Sequence, residues 1–375
     1  MLGAMAQPAP APAAFLPRAH LQTLLDALHE RGYRIVGPVP REGAVVYDEL
    51  RRVEELPLSL RETQAPGSYR LEQTTSGLAF DVVNGPGSLK PFFFAPREPL
   101  LQITRTGDSF RAEPTLPEPP PTAFLGVRAC DLAALRAQDR IFLHDRHPDP
   151  YYAARRRGVF LVAVNCTRSA ATCFCASMGT GPEATEGFDL AMSEQADGFL
   201  VRAGSQAGRE LAAALALGPA PPERVADERA RLRACAEGMQ RRLDTRDLPE
   251  LLYANLTHPR WDQVAQRCLS CTNCTMVCPT CFCHDERDEP SPDGLRSLRV
   301  RDWDSCFNPE HAQMHGFDVR PRIAHRYRQW LVHKLASWID QFGSSGCVGC
   351  GRCIAWCPVG IDLTEEVAAI RGERT

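Results

Sequence analysis

Cys268-Leu-Ser-Cys271-Thr-Asn-Cys274-Thr-Met-Val-Cys278-Pro279 and Cys347-Val-Gly-Cys350-Gly-Arg-Cys353-Ile-Ala-Trp-Cys357-Pro358 are two copies of one pattern, C-x2-C-x2-C-x3-C-P. Three closely spaced thiolates on a tight loop can wrap one face of an iron–sulfur cubane. The fourth follows on a helical turn, and the proline redirects the chain. In two-cluster motifs of this kind the fourth cysteine ligates the cluster of the other motif. The expected ligands are therefore Cys268, Cys271, Cys274 and Cys357 for one [4Fe–4S] cluster, and Cys347, Cys350, Cys353 and Cys278 for the second. Zinc is the competing reading, because paired CxxC motifs also make zinc sites with four cysteine ligands. A zinc ribbon has no use for a third cysteine and a C-P ending, twice over.

Cys278 and Cys347 stand 69 positions apart, far more than a minimal ferredoxin needs between its halves. The insert contains RIAHRYRQWLVHKLASWIDQF (322–342), in which Trp330, Leu331, Lys334, Leu335 and Trp338 follow helical spacing. The expected fold here is a helical two-cluster domain with a long insertion, with Trp330 and Trp338 in core packing rather than electron relay.

The rest of the chain reads as an α/β unit. HLQTLLDALHER (20–31) places Leu21, Leu24, Leu25 and Leu28 on one helical face, and Gly32 ends it. Tyr33–Val36 and Ala44–Tyr47 suit strands. The Pro/Gly-rich stretches GPGSLKPFFFAP and PTLPEPPP imply extended segments and turns. AFLGV, the helical RACDLAALRAQDRIFL, and GVFLVAV (158–164) then form a strand–helix–strand run with near-continuous apolar strands, which predicts a parallel layer. Residues 206–246 read as Ala/Arg-rich helices broken at GPAPP. The expected organisation is a flexible Ala/Pro tail at 1–18, an α/β domain at 19–250 and the helical dicluster domain at 251–375, an α+β chain overall.

The bulk composition is that of an ordinary soluble protein: 375 residues, 44% hydrophobic, 24% charged. A net charge of −3 from 43 basic and 46 acidic residues gives no electrostatic case for nucleic acid or an anionic membrane surface. No stretch of about 18 apolar residues is present, so no membrane-spanning helix is expected. The opening segment lacks a basic n-region and reads as a loose tail rather than a signal peptide. A reduced, cytoplasmic compartment is the expectation.

Sixteen cysteines is the unusual count. Cys130, Cys166, Cys173 and Cys175 occur in VRACD, VNC and TCFC, two of them after apolar strand runs where α/β proteins place ligand-binding loops. They are candidates for a third iron–sulfur site; the alternative is that they pack as small hydrophobes. Cys281, Cys283 and Cys306 form another group, for which metal ligation, tuning of the nearby clusters and plain packing all stay open. Cys235 stands alone in an Arg-rich helix and reads as structural. His284, His311, His315, His325 and His333 crowd the second domain, and surface or core roles are favoured for them. No G-x-G-x-x-G or Walker-type loop occurs, and Gly179-Thr-Gly181 is weak evidence for a ligand loop.

The chain resembles the beta subunit of cytoplasmic NiFe sulfhydrogenases and its relative, the electron-transfer subunit of anaerobic sulfite reductase. The resemblance is carried by GPVPREGAVVYDEL (37–50), LGVRACDLAAL (125–135), DPYYAARR (149–156), VNC (164–166), CFCASMGTGP (173–182), CPTCFC (278–283), YRQWLVHK (327–334) and both cluster motifs. It implies an electron-relay subunit without catalytic residues of its own. Its partners would be a flavin subunit exchanging electrons with a nicotinamide nucleotide and either NiFe hydrogenase subunits or a sirohaem subunit. A flavin-binding oxidoreductase acting by itself is the reading from a different class.

Overall fold

A computed structural model describes residues 13–83, 85–144 and 146–372. The first half of the chain is built on one large sheet. Its strands are β1 (Ala14–Pro17), β2 (Arg34–Arg41), β3 (Ala44–Glu49), β8 (Thr122–Val127), β9 (Val159–Val164), β10 (Leu190–Gln195), β11 (Gly198–Ala203) and β12 (Gly218–Pro219). They lie in the order β12-β1-β11-β10-β9-β8-β2-β3. The intervening strands form a hairpin, β4 (Leu60–Ala65) with β5 (Ser68–Gln73), and a second antiparallel pair, β6 (Arg97–Thr106) with β7 (Ser109–Pro114).

The centre of the large sheet is parallel, β2–β8–β9–β10, and the flanks are antiparallel. Every residue of β8 and β10 is buried, and β9 is buried after Val159. This is why TAFLGV and VFLVAV are continuous apolar runs rather than alternating ones. Helix Leu21–Glu30 lays Leu21, Leu24, Leu25 and Leu28 against Ile35, Leu125, Val162 and Phe199 on one face. Helix Ala129–Phe142 covers the other through Leu132 and Leu135, against Phe124 and Leu161. That helix begins where β8 ends, at the carboxyl edge of the parallel strands.

The chain departs from the expected boundaries in two places. Ala14–Pro17, expected in a flexible tail, is a strand paired with β11 and β12; residues 1–12 of that tail lie outside the described residues. Four residues carry no readable periodicity, and their pairing partners are supplied by chain some two hundred residues away.

The insert between the two motifs is not all helical. It opens with a hairpin, β13 (His284–Pro290) and β14 (Arg296–Trp303), and β14 pairs antiparallel with β6 from Arg296↔Thr104 to Asp302↔Arg97. The four-stranded sheet β13-β14-β6-β7 is thus shared by the two expected domains. The insert then continues as helix Ile323–Val332, a π turn at His333–Ser337, and helix Trp338–Phe342. Trp330 and Trp338 are both buried among aromatic rings: Trp330 against Tyr327 at 5.4 Å, and Trp338 against Phe282 at 5.4 Å. Leu331, Leu335, Ile354, Leu363 and Val367 complete that core. Among the described residues no helix is long and apolar enough to cross a membrane.

Because β14 needs β6, a fragment of residues 251–375 expressed alone is expected to be aggregated or poor in iron. Iron content and size-exclusion elution check this; a monomeric fragment holding about eight iron atoms per chain, as two [4Fe–4S] clusters require, would refute it.

Candidate metal centres

The two motif loops are built alike. The second residue after the first cysteine and the residue after the second cysteine are left-handed in both: Ser270 (φ 52) and Thr272 (φ 68) in one, Gly349 (φ 62) and Gly351 (φ 75) in the other. These positive φ values wind the loop so that successive thiols face inward. The second loop requires glycine for a further reason. A Cβ at Gly349 would stand 2.7 Å from Cys175 Cα, and one at Gly351 would stand 2.4 Å from the Thr172 carbonyl oxygen. The TCFC segment of the first domain therefore packs directly on this loop, and Phe174 N–H donates to the Gly349 carbonyl at 2.9 Å.

Cys268, Cys271, Cys274 and Cys357 all line one cavity, walled by Phe307, Tyr327 and Trp330. Burial and then the thiolates of Cys268, Cys357, Cys271 and Cys278 push the Cys274 thiol well up. Burial and then Cys347, Cys350, Cys278 and Cys274 do the same to Cys353. Cys274 has both fourth cysteines, Cys357 and Cys278, beside it, whereas Cys353 has only Cys278 of the two among its principal neighbours. The two sets also adjoin, since Cys274 and Cys278 neighbour Cys353. Backbone N–H groups donate to sulfur at Cys268 (from Ser270, 3.4 Å), Cys347 (from Gly349, 3.4 Å) and Cys357 (from Ile361, 3.3 Å). Donors of this kind stabilise thiolate charge and tune a cluster's potential.

Two buried lysines flank Cys278. Lys334, carried on the π turn, places Nζ 3.2 Å from Cys278 Sγ and 3.6 Å from Cys281 Sγ, with Thr280 Oγ1 and the Gly346 carbonyl each at 3.2 Å. Contact with the Cys281 thiol, then the Lys334 ammonium and Thr280, hold the Cys278 thiol well below the usual thiol range despite burial. Lys90 donates to the carbonyls of Thr275 (3.2 Å) and Met276 (3.1 Å), its ammonium lying 3.7 Å from the Trp303 ring centroid.

Arg352, inside the second motif, ties that loop to the first domain. Its guanidinium meets Asp131 at 2.8 and 2.9 Å, both side chains being only 1% exposed, and Nε donates to the carbonyls of Gly85 (3.2 Å) and Gly87 (3.1 Å).

The four first-domain cysteines lie around the same loop. Cys130 and Cys175 pack with Val348 and Cys350, and the Cys173 thiol lies 3.9 Å from the Cys350 carbonyl oxygen. Burial, then Cys173, Cys166, Cys235 and Cys350, push Cys175 up. Cys130 has Cys175 and Cys350, but neither Cys166 nor Cys173, among its principal neighbours. Cys235, read from sequence as solitary, joins the group instead: burial and the nearby Cys166 push its thiol up to about 12.

His311 is neither a surface nor a plain core histidine. It contacts Cys283 and holds Asp304 Oδ2 at 2.6 Å through Nδ1, and its imidazole is pushed up to about 9 by Cys283 first and by Asp304. His325 lies among Arg322, Arg326, Arg328 and Asp262. Neither His311 nor Lys90 carries a motif signal, and the motif position of Arg352 and the helical spacing at Lys334 do not announce their roles, because each acts through a partner distant in sequence.

A 4Fe-4S dicluster domain family matches residues 267–361, so the C-terminal region carries two [4Fe–4S] clusters. The chain is 30% identical over 347 residues to the sulfhydrogenase 2 subunit beta of Pyrococcus furiosus, covering 90% of this chain and 92% of that protein. No solved structure matches.

Proposed function

Since the chain belongs to the family of sulfhydrogenase beta subunits, an iron–sulfur electron-transfer family, we propose that it relays electrons in the cytoplasm between two partner subunits. One is a flavin subunit served by NAD(P)H, the other the catalytic module of a NiFe hydrogenase. The observation that carries this reading is the adjacency of the two thiol sets, with Cys274, Cys278 and Cys353 in one another's surroundings. Two clusters sharing a wall give closely spaced one-electron stations, through which a two-electron flavin can pass its electrons singly. Cys268, Cys271, Cys274 and Cys357 hold one cluster, and Cys347, Cys350, Cys353 and Cys278 the other. No residue of this chain needs a proton-transfer role. The same reading takes Cys130, Cys166, Cys173 and Cys175 as a further metal site bordering Cys350. Changing Cys173 and Cys175 together to serine then lowers iron by about four atoms per chain, and an unchanged iron count removes this site.

The competing partner is a sirohaem subunit, as in anaerobic sulfite reductase. A second class of reading, a flavin enzyme acting by itself, has one observation in its favour. A wide cleft of about 770 Å³ lies between the Gly179–Glu186 loop and Arg136, Arg229 and Arg233. Purification of the untagged complex from its native cells distinguishes these readings. Co-elution with nickel-containing subunits is the expected result, and co-elution with sirohaem selects the other partner. Bound flavin with NAD(P)H-driven dye reduction by the isolated chain would overturn the relay.

Lys334 is predicted to set the potential of the cluster held by Cys278. A cation favours the reduced, more negative cluster, so Lys334→Met lowers the potential. At an effective dielectric of about 20 and a separation of about 6 Å the charge contributes roughly 3 kcal/mol, or on the order of 100 mV for one electron. An EPR-monitored redox titration reads the shift; an unmoved potential would assign Lys334 to packing alone.

A further inference from the structure

One more group of soft donors converges outside both motifs and the first-domain thiols. Pairing of His284 with Trp303 in the β13–β14 hairpin lays residues 281–283 beside 304–306, and Asp304 N–H donates to the Cys283 carbonyl at 2.9 Å. The Cys283 thiol stands beside the Cys306 thiol and the His311 imidazole, on the wall of one cleft. Cys306 has Cys281 as its next neighbour in this group and Cys274 beyond it. Behind the imidazole stands a fixed carboxylate. Asp304 accepts from His311 at 2.6 Å, and its other oxygen is held by Ser305 N–H (2.7 Å) and Asn308 Nδ2 (2.9 Å). A carboxylate on Nδ1 fixes the tautomer and ring orientation and leaves Nε2 for a metal, the usual support of a metal-ligating histidine.

Cys283, Cys306 and His311 line a cleft of about 280 Å³, with His333 and Arg320 at its wall, and Cys281 stands behind it, between Cys306 and Lys334. Among the described residues no three such side chains stand close enough to share a single metal ion. The same holds for the eight motif cysteines, whose domain carries clusters. A cluster takes its protein ligands on different iron atoms, so its ligands need not converge on one point. Lys334, 3.6 Å from Cys281 Sγ, supplies positive charge to offset further thiolates.

We propose that Cys281, Cys283, Cys306 and His311 bind an additional iron–sulfur cluster through three thiolates and one imidazole. It rests on the electron-relay reading for the class of cofactor only; the ligands follow from the contacts. Through Cys281 the site touches Cys278 of one motif, and through Cys306 it neighbours Cys274 of the same motif. An electron arriving at the cleft would therefore stand beside both clusters.

The test uses the full chain purified anaerobically, with iron, labile sulfide and zinc counted per chain. Cys283→Ser with Cys306→Ser is expected to lose about two to four iron atoms and as many sulfides, according to nuclearity, while the [4Fe–4S] signals of the dicluster domain persist. The unmodified protein is expected to show imidazole nitrogen hyperfine coupling on a reduced cluster, absent in His311→Ala. That measurement decides the matter if the double variant does not fold. Unchanged iron without nitrogen coupling, or stoichiometric zinc lost with the two cysteines, would overturn the proposal. A wild-type protein without any cluster signal would overturn both this site and the relay reading.

Discussion

Cys357→Ala is expected to remove about four iron atoms per chain and to extinguish the cluster built on Cys268, Cys271 and Cys274, leaving that of its own motif intact. Cys357 closes the cavity that those three thiols line, and Cys268 feels burial, a backbone donor and then the Cys357 thiolate ahead of Cys271. Three remaining thiolates leave one iron open to solvent and thiol competitors, and the cluster is lost. The reciprocal change, Cys278→Ala, should strike the cluster on Cys347, Cys350 and Cys353. EPR of the reduced variants separates the two clusters by relaxation and g-values. If Cys357→Ala instead abolishes the cluster of its own motif, the crossed ligand set is wrong.

The second large effect concerns stability. Asp131→Ala strands the Arg352 guanidinium, which is buried to 1% exposure and paired to that carboxylate through two nitrogens. Removing one partner of a buried pair costs about 3–5 kcal/mol, because the survivor keeps its desolvation penalty. The carbonyls of Gly85 and Gly87 still accept from Nε, which places the expectation toward the lower end. Arg352 lies inside a cluster-binding loop, so the loss should also speed release of iron from the cluster on Cys347, Cys350 and Cys353. Anaerobic chemical denaturation of the holoprotein, followed by the visible cluster absorption, measures both. A midpoint unchanged from wild type would show that the pair holds neither the loop nor the domain.

Much of the fold was legible in local pattern. The apolar runs at 122–127 and 158–164 announced a buried parallel layer because both faces of those strands are covered. The helix after the first of them showed its period. The hairpin at 284–303 did not. HDERDEP is almost wholly charged, and the only aliphatic side chains of RSLRVRDW are Leu298 and Val300. Its place is set by pairing with β6, which no local window can contain.

The metal ligands divide in the same way. The motif spacing singles out eight candidate cysteines and predicts that their sets cross. Packing of TCFC against Gly349, the entry of Cys235 into the first-domain group and the Asp304–His311 support depend on contacts between segments remote in sequence.

The shared sheet has a consequence for how the protein is made. Thr104 pairs with Arg296, so about 190 residues must leave the ribosome before β6 meets its partner. At roughly 5–20 residues per second this takes on the order of ten to forty seconds. During that interval one edge of β6 is an unpaired template for neighbouring chains. With the crossed ligand set proposed above, neither cluster is completed until the last motif has also been synthesised. Newborn chains therefore wait, open-edged and empty, for their own C-terminus, and the yield of holoprotein in a foreign host should depend on chaperone supply as much as on iron.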